Sequence, residues 1–306
     1  MSRVRGLIRR AEILAKIRDF FAARGFVEVE TPTLVPSPGL DVHLDAFAVP
    51  TPHGTRYLST SPEYQMKRLL AAGMERIVQI AKAYRRDEAG ERHSPEFTIL
   101  EWYRAPGAVE DVMRDTEQLV AAVTGGEVTL GERVVSVAPP LARITVLEAF
   151  ARFAGVPPEE TLRMAESDED RYFRTLVEAV EPQLAAMDRG VFLTEYPASQ
   201  ASLARTKSTD PRLAERFELY VAGVELCNGF GELTDAAEQR ARFAADQAAR
   251  SARGLPVYPI DERFLGALEA GLPACAGNAL GVDRLAALAC GATAIRDVMA
   301  FAADEL

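Results

Sequence analysis

Cysteine is scarce and long apolar runs are missing from this 306-residue chain. Three cysteines, an odd number without the spacing of metal ligands, are typical of a reducing compartment and not of a disulfide scaffold. No segment approaches the roughly 18 apolar residues that a membrane span needs. The first residues also lack the apolar segment and small-residue cleavage site of a signal peptide. We therefore expect a cytoplasmic protein that does not contact a membrane.

Positively charged residues are fewer than negatively charged ones. Lysine and arginine number 35 against 45 aspartates and glutamates, a net charge of −10. This balance argues against broad contact with a nucleic acid backbone, so tRNA is not an expected partner. Near the N-terminus a small basic patch is formed by Arg3, Arg5, Arg9 and Arg10, and a solvated helix start is its simplest interpretation.

The composition that remains is that of an ordinary globular protein. Hydrophobic residues make up 48% of the chain and charged residues 26%, so a sizeable core is possible. The length allows one large domain or two. Because the sequence shows no repeat, linker or low-complexity segment, we predict a single domain over residues 1–306.

The stretch from Tyr84 to Tyr103 combines cationic groups with a carboxylate. A loop holding Arg85 leads into a predicted strand whose two-residue period places Phe97 and Glu101 on one face. Glutamate is rarely buried without a partner, so Glu101 either faces water or awaits a cation. Arg85 could bind a phosphate with its guanidinium fork. The stretch therefore suits a ligand that is anionic in one part and cationic in another.

Periodicity predicts the remaining elements. Three-four apolar spacing predicts helices at 7–24, 64–72, 108–124, 145–154, 170–186 and 234–253, the last capped by Thr234. Alternation predicts strands at 26–30, 47–49, 57–59, 77–84, 97–103, 191–196 and 214–221, a hairpin at 128–137, and a strand leading into a helix over 277–290.

The segment 223–233 is ambiguous by spacing alone. Glu225, Asn228 and Glu232 would share one face of a helix, but Gly229 and Gly231 disfavour that conformation. We predict a strand that is interrupted by a bulge and leaves through a glycine turn.

Three of these segments resemble, in the right order, the signature motifs of class II aminoacyl-tRNA synthetases. They are the first helix and strand through Pro32, the stretch 85–103, and 281–284 with its helix. The segments SPEYQMKRLLAAG, HSPEFTILEWYR and CAGNALGVDRL are closest to the lysyl enzymes of that class. The resemblance covers nearly the whole chain. It implies an α+β fold, a mostly antiparallel sheet flanked by helices, and a homodimer formed through the first motif.

Within that family, the chain resembles the branch that attaches (R)-β-lysine to a lysine side chain of elongation factor P. Lysyl-tRNA synthetases carry an OB-fold anticodon-binding domain ahead of the first motif, which begins here within ten residues of Met1, so we expect no such domain. Ser61 stands where lysyl enzymes typically have Ala, and Ala279 where they have Gly. The bulk of Ala279 would crowd an α-amino group and favour a substrate with its amine moved one carbon along, so (R)-β-lysine is the expected substrate and lysine the alternative. Two departures are Asp87, in place of Glu, and Asn278, in place of an apolar residue.

The resemblance implies a two-step reaction that uses ATP and Mg²⁺. The amino-acid carboxylate attacks the α-phosphorus of ATP, and an acceptor amine then attacks the resulting adenylate. Positioning and charge neutralisation would carry the catalysis, which agrees with the lack of a Ser-His-Asp or Cys-His arrangement. The implied catalytic residues are Arg85 and Arg284.

The resemblance also assigns contacts. For ATP, Arg85 would hold the α-phosphate, His93 would lie near the outer phosphates, Phe97 and Arg284 would cover the adenine faces, and Asp87 would hydrogen-bond the adenine. Mg²⁺ would be held by Glu218 and Glu225. For the amino acid, Glu232, Glu101 and Tyr103 would receive the side-chain ammonium, Glu63 the other amine and Asn228 the carboxylate, in a pocket that includes Ser61 and Ala279.

Without the resemblance, the same residues have plainer explanations. Arg85 and Arg284 would form surface ion pairs, Phe97 would pack in the core, and His93 would be a loop histidine. Glu218 and Glu225 would be salt-bridged strand ends, and Asn228 a turn residue. Two other functions also remain open. One is a lysine-activating enzyme with another acceptor, a tRNA or a small amine. The other is a catalytically silent regulator, which predicts decay of the ATP-binding residues, and these stand intact.

Overall fold

The computed structural model describes residues 2–306. Within that range the α-helices span Arg3–Ala22 (α1), Glu63–Ala71 (α2), Val109–Thr124 (α3), Val146–Ala149 (α4), Pro158–Ser167 (α5), Glu169–Thr175 (α6), Glu181–Ala186 (α7), Ala236–Ala252 (α8), Glu262–Gly271 (α9) and Val282–Ala289 (α10). Turns of π-helix at Phe150–Ala154 and Leu176–Val180 extend α4 and join α6 to α7, and short 3₁₀ segments lie at Ala198–Gln200, Ile295–Val298 and Ala303–Glu305.

The strands form three sheets. They span Val27–Glu28 (β1), Leu34–Val35 (β2), Ala48–Thr51 (β3), Gly54–Leu58 (β4), Arg76–Tyr84 (β5), Glu96–Arg104 (β6), Glu127–Leu130 (β7), Arg133–Ser136 (β8), Ala142–Thr145 (β9), Val191–Thr194 (β10), Arg216–Val221 (β11), Val224–Gly231 (β12) and Ala276–Gly281 (β13). The large sheet has the order β1-β5-β6-β13-β12-β11-β10-β9, and only its two outermost pairings are parallel. The predicted α+β class with a mostly antiparallel sheet is confirmed.

The predicted helices are present, but two helices were missed. Helix α5 begins at Pro158, directly after Pro157, and such a proline pair marks a loop in sequence although proline suits a first helical turn. Helix α9 contains Gly266 and ends at Gly271, which hides its apolar spacing. The predicted cap of α8 is wrong by one residue. Asp235, and not Thr234, accepts a hydrogen bond from the backbone N–H of Glu238 at 2.8 Å.

The predicted strands are present with small changes of boundary. Segment 223–233 forms a strand, β12, as predicted, and its pairing with β11 contains the expected bulge. Leu219 pairs with Cys227 and Tyr220 with Glu225, so that Leu226 is the extra residue. A bulge of this kind re-aims the neighbouring side chains, which here include Glu225.

The large sheet separates the main core from an open cleft. One face packs against α1, α3 and α10 through a cluster that includes Phe21, Trp102 and Leu285, all fully buried. A second cluster joins α2, α8 and α9, with Tyr64 stacked on Phe264 at 4.6 Å between ring centroids. The helices α4 to α7 cover the far end of the sheet. The opposite face of the central strands is thereby left free for the site.

An ion pair joins the three segments that carry the family motifs. Arg10 of α1 lies 2.5 Å from the carboxylate of Asp283 in α10 and donates to Thr98 Oγ1 of β6 at 2.9 Å. Asp283 also accepts from the backbone N–H of Thr98 at 2.8 Å. Only 14% of the Arg10 side chain is exposed, so the interpretation of the whole N-terminal arginine group as a solvated patch is wrong for this residue.

None of the helices in residues 2–306 combines the length and the apolar character that a membrane crossing would require.

Candidate active site

A cleft of about 1070 Å³ lies over the central strands of the large sheet. Its floor is a row of residues that pair across four strands: Glu101 with Ala279, Ala279 with Asn228, and Asn228 with Glu218. Residues directly opposite on antiparallel strands project to the same face. The residues between them, such as Leu100 and Leu280, point into the core. Alternation within each strand thus gives one polar face and one apolar face.

Arg85 forms the cationic wall of the cleft, and it lies in the loop between β5 and β6. Its guanidinium lies over the ring of Phe97, 4.9 Å from the centroid, and Nη1 donates to Glu88 Oε1 at 3.2 Å. Nε is buried and finds no acceptor among the described residues. A buried guanidinium N–H without an acceptor is costly in the unliganded protein, so it favours an anion in the cleft.

Arg284 and His93 lie together on the same side of the cleft. Nη2 of Arg284 is 2.7 Å from Nε2 of His93, and Nη1 donates to the backbone carbonyl of Glu225 at 2.9 Å. Burial, reinforced by the Arg284 guanidinium, lowers the pKa of His93. A neutral imidazole can accept the hydrogen bond from Arg284, and the pair leaves positive charge facing the cleft.

Asp87 is a predicted site residue that points away from the cleft, whereas Tyr103 and Glu232, which do not line it, are buried beside its carboxylate end. The Asp87 side chain is 70% exposed and pairs with Arg86 at 3.3 Å. The carboxylate that lines the cleft from this loop is Glu88, one residue further on and paired with Arg85. The backbone N–H of Glu88 donates to the carbonyl of Arg85 at 3.4 Å in a turn that contains both acidic residues, and the sequence alone does not show which carboxylate faces inward.

Glu218 and Glu225 lie on the paired strands β11 and β12, where Glu218 is opposite Asn228 and Glu225 is opposite Tyr220. Glu218 accepts hydrogen bonds from Arg216 at 2.7 Å and from the Tyr220 hydroxyl at 2.8 Å. Partial burial, followed by repulsion from the Glu218 carboxylate, raises the pKa of Glu225, whose side chain is 41% exposed. No group of three or more His, Cys, Asp and Glu side chains with metal-binding geometry occurs in residues 2–306. Two carboxylates beside a cationic wall nevertheless fit Mg²⁺, which takes few protein ligands and completes its shell with phosphate and water.

Arg216 is a site residue that sequence reasoning missed. Its guanidinium is stacked 4.3 Å from the centroid of Tyr196, and Nε donates to Asn228 Oδ1 at 3.2 Å. This bond turns the amide N–H₂ of Asn228 away from Arg216, and Asn228 lines the cleft. The position of Arg216 two residues before Glu218, on one face of a strand, was the available sequence signal.

Glu101 lies at the anionic end of the cleft and is fully buried. It accepts hydrogen bonds from Ser61 Oγ at 2.5 Å and from the Tyr103 hydroxyl at 2.9 Å. Burial, followed by the nearby Glu63 carboxylate, raises its pKa to about 8. A buried carboxyl group with a raised pKa becomes ionised more easily when a cation lies beside it. Glu101 is therefore suited to bind an ammonium group.

Glu63 and Glu232 share a cation that the sequence analysis did not single out. Nζ of Lys67 lies 2.5 Å from Glu63 Oε1 and 2.5 Å from Glu232 Oε2. Burial alone would lower the pKa of Lys67, but Glu232 and Glu63 outweigh it and the pKa is raised. The structure therefore brings Glu63, Glu101, Tyr103 and Glu232 together, with Glu232 engaged by the chain's own ammonium. Helical i,i+4 spacing from Glu63 to Lys67 was the sequence signal.

The raised pKa of Glu101 makes stability depend on pH. The folded protein holds this proton up to about pH 8, whereas an unperturbed glutamate loses it near 4.5. Between these values the folded state binds more protons, so the free energy of unfolding decreases as the pH rises. Glu232, whose pKa burial raises to about 7, acts in the same direction. We expect the Tm of the unliganded protein to decrease from about pH 6 to about pH 8.

Thermal unfolding in a series of buffers measures this dependence, and the isosteric Glu101→Gln protein is its control. The variant cannot lose the proton, so its Tm should decrease less over the same pH range. An identical pH dependence in both proteins would contradict the assignment to Glu101.

Comparison with known proteins identifies the family. A profile described as tRNA synthetases class II (D, K and N) matches residues 3–305. The elongation factor P–(R)-β-lysine ligase of Proteus mirabilis (strain HI4320) is 44% identical, over 97% of this chain and 95% of that protein. The proteins of the same description from Haemophilus influenzae (strain PittGG) and Salmonella paratyphi B are 42% and 43% identical, over 99% and 98% of this chain and 96% and 95% of theirs. Since the profile and these relatives span nearly the whole chain, it belongs to the class II tRNA synthetase family of the D, K and N type.

Proposed function

We propose that this protein is an ATP-dependent ligase that activates (R)-β-lysine as an adenylate and transfers it to a lysine side chain of elongation factor P. The observation that carries the proposal is one cleft with a cationic wall, formed with Arg85 and Arg284, and a carboxylate end around Glu63 and Glu101. ATP is anionic and suits the cationic wall, whereas an amino acid of the lysine type carries two ammonium groups that suit the carboxylate end. The relatives are described as elongation factor P–(R)-β-lysine ligases, and this description supplies the particular amino acid and acceptor of the proposal.

In the first step, the chain's residues would act by orientation and charge. Arg85 would hold the α-phosphate, and Phe97, which lies under the Arg85 guanidinium, would stack on one face of the adenine while Arg284 covers the other. Arg284, with His93 as its neighbour, would neutralise charge as pyrophosphate leaves. Asn228, oriented by Arg216, would hold the amino-acid carboxylate against the phosphorus. When bound through Glu218 and Glu225, Mg²⁺ would supply charge neutralisation for the phosphates.

The carboxylate end would select the amino acid. Glu101 and Glu63 would each face one ammonium group, and Ala279 lies beside Glu101 on the neighbouring strand. A methyl group at this position reduces the space next to Glu101, which supports a substrate whose second amine is displaced by one carbon. Ser61 positions the same carboxylate through its short hydrogen bond.

In the second step, the lysine amine of the acceptor would attack the adenylate carbonyl, releasing AMP. We infer a protein acceptor and not a tRNA, because the net charge of −10 disfavours a nucleic acid footprint. We also infer that residues 1–306 act as one domain in the cytoplasm, where translation factors work. The chain covers 95–96% of the length of these relatives.

The experiment that tests the function is amino-acid-dependent ATP–pyrophosphate exchange, without tRNA, with α-lysine, (R)-β-lysine, (S)-β-lysine and ornithine. We expect the strongest exchange with (R)-β-lysine, followed by its transfer to purified elongation factor P, seen as a mass increase that is lost when the acceptor lysine is replaced. A preference for α-lysine would favour another acceptor. No exchange with any of the four, from a folded protein that binds ATP, would overturn the proposal and favour a silent regulator.

We infer a homodimer formed through α1 and β1. Large hydrophobic side chains are exposed there, with Val4 at 68%, Ile8 at 59% and Val27 at 52%, and Val4 and Ile8 share one helix face. The two exposed apolar side chains on one face of α1 fit an interface along this helix.

A charge placed on this surface should separate the subunits. We expect Ile8→Asp to raise the dimer Kd by about tenfold or more, because it replaces buried apolar area with an unpaired carboxylate. Sedimentation equilibrium measures the change. Val177→Asp, at a side chain that is 55% exposed on another surface, is the matched control and should leave the Kd unchanged. Equal behaviour of the two variants would contradict this interface.

A further inference from the structure

Lys67 is a fully buried ammonium beside the substrate cleft, and the mechanism above does not use it. Its side chain is 0% exposed and projects from α2 between Glu63 of the same helix and Glu232, which follows β12. Both ion pairs measure 2.5 Å. A buried lysine remains charged only when opposite charge surrounds it, and the two carboxylates meet that requirement.

The two carboxylates differ in their access to the cleft. Glu63 lines the cleft and its side chain is 16% exposed, whereas Glu232 is 1% exposed and does not line it. Glu232 Oε1 lies 2.8 Å from the position that a Cβ on Gly277 would occupy, so Glu232 packs over Gly277 on the same face of β13 as Ala279, behind the lining of the cleft. Lys67 thus connects a carboxylate anchored in the protein to one that a ligand can reach.

The charges of this end of the cleft can be counted. Glu63, Glu101 and Glu232 contribute three carboxylates, and Lys67 is the one side-chain cation within ion-pair distance of any of them among the described residues. With all groups ionised the net charge is two negative, and a diamino acid brings two ammonium groups. Without Lys67 the same end would hold three negative charges for two positive ones.

We propose that Lys67 is a positioning residue of the amino-acid site. Anchored by Glu232, it holds Glu63 so that its second oxygen faces the cleft, and it sets the charge of the site to match a substrate with two ammonium groups. In this arrangement the chain's own ammonium, and not that of the substrate, neutralises Glu232. The inference rests on the proposed function, since it assumes a diamino acid in the cleft.

The test compares Lys67→Met with the wild-type protein in pyrophosphate exchange with (R)-β-lysine. We expect the KM for the amino acid to rise roughly 30-fold, because one partner of a buried ion pair is lost, while the KM for ATP changes less than about twofold. Lys82→Met is the matched control, since Lys82 forms an exposed pair with Glu96 at 3.1 Å and should leave both KM values unchanged. A parallel rise of both KM values, or an unchanged KM for (R)-β-lysine, would overturn the proposal.

A second variant keeps the test decisive if Lys67→Met does not fold. Lys67→Met/Glu232→Gln removes both charges of the anchoring pair and should fold, because the carboxylate left without its cation is that of Glu63, which is 16% exposed and can be hydrated from the cleft. Its KM for (R)-β-lysine should exceed that of Glu232→Gln alone, since Glu63 has lost its anchor. Equal values in these two proteins would show a purely structural role. If the wild-type protein shows no exchange, the proposed function itself fails and this proposal fails with it.

Discussion

Replacing Arg85 by alanine should lower kcat/KM for pyrophosphate exchange by about a thousandfold, the range expected for loss of a charged group that contacts the reacting phosphate. The guanidinium combines three features that a smaller side chain cannot supply. It is placed 4.9 Å from the Phe97 ring, it is oriented by Glu88, and its buried Nε is available for an anion.

The neighbouring arginine provides the control for this prediction. Arg86 is 45% exposed and pairs with Asp45 and Asp87, so Arg86→Ala should retain most of the exchange activity. Arg85→Lys keeps the charge but loses the planar fork, and we expect an intermediate rate. Near wild-type exchange by Arg85→Ala, in a protein with an unchanged circular dichroism spectrum, would show that the phosphate contact is misplaced.

Replacing Glu101 by alanine should raise the KM for (R)-β-lysine by about a hundredfold. The change removes the carboxylate that we propose faces the ammonium group, and it leaves the hydroxyls of Ser61 and Tyr103 without their acceptor. The KM for ATP should change little, because ATP would bind against the opposite wall. A rise in the KM for ATP of the same size would indicate a general collapse of the cleft instead.

The protonation of Glu101 gives the same prediction a second measurement. The ionised carboxylate is the form that binds an ammonium group, and the unliganded protein holds the proton up to about pH 8. The KM of the wild-type protein for (R)-β-lysine should therefore fall as the pH rises from about 7 to about 8.5, the opposite sense to the change in stability. In Glu101→Gln this dependence should be absent, and its persistence there would assign it to another group, with Glu232 as the first candidate.

The strands of the site were predictable because each has one face in the core. In β6, alternation puts Phe97, Ile99 and Glu101 on the cleft face while Leu100 and Trp102 are buried on the other, and that pattern is visible in sequence. Resemblance to the family added the roles, and the structure brings most of the predicted side chains into one cleft.

What the sequence could not supply depends on contacts between distant segments. Glu232 is neutralised by Lys67, and Asn228 is oriented by Arg216, and neither relation follows from spacing along one element. Arginine is usually a surface residue, yet Arg10 forms a largely buried ion pair with Asp283. Asp87 and Glu88 are adjacent acidic residues in a loop, and the sequence alone does not show which one faces the cleft.

The row of paired residues on the cleft floor also limits how this enzyme can change in evolution. Because side chains alternate along a strand, inserting or deleting a single residue within β6, β12 or β13 would exchange the two faces beyond that point. Ala279 would then turn into the core, and Leu280 would enter the cleft. New substrate preferences should therefore arise by substitution at floor positions such as Ala279, while changes of length should be confined to the connections between strands. In related sequences, gaps are expected to fall outside these three strands.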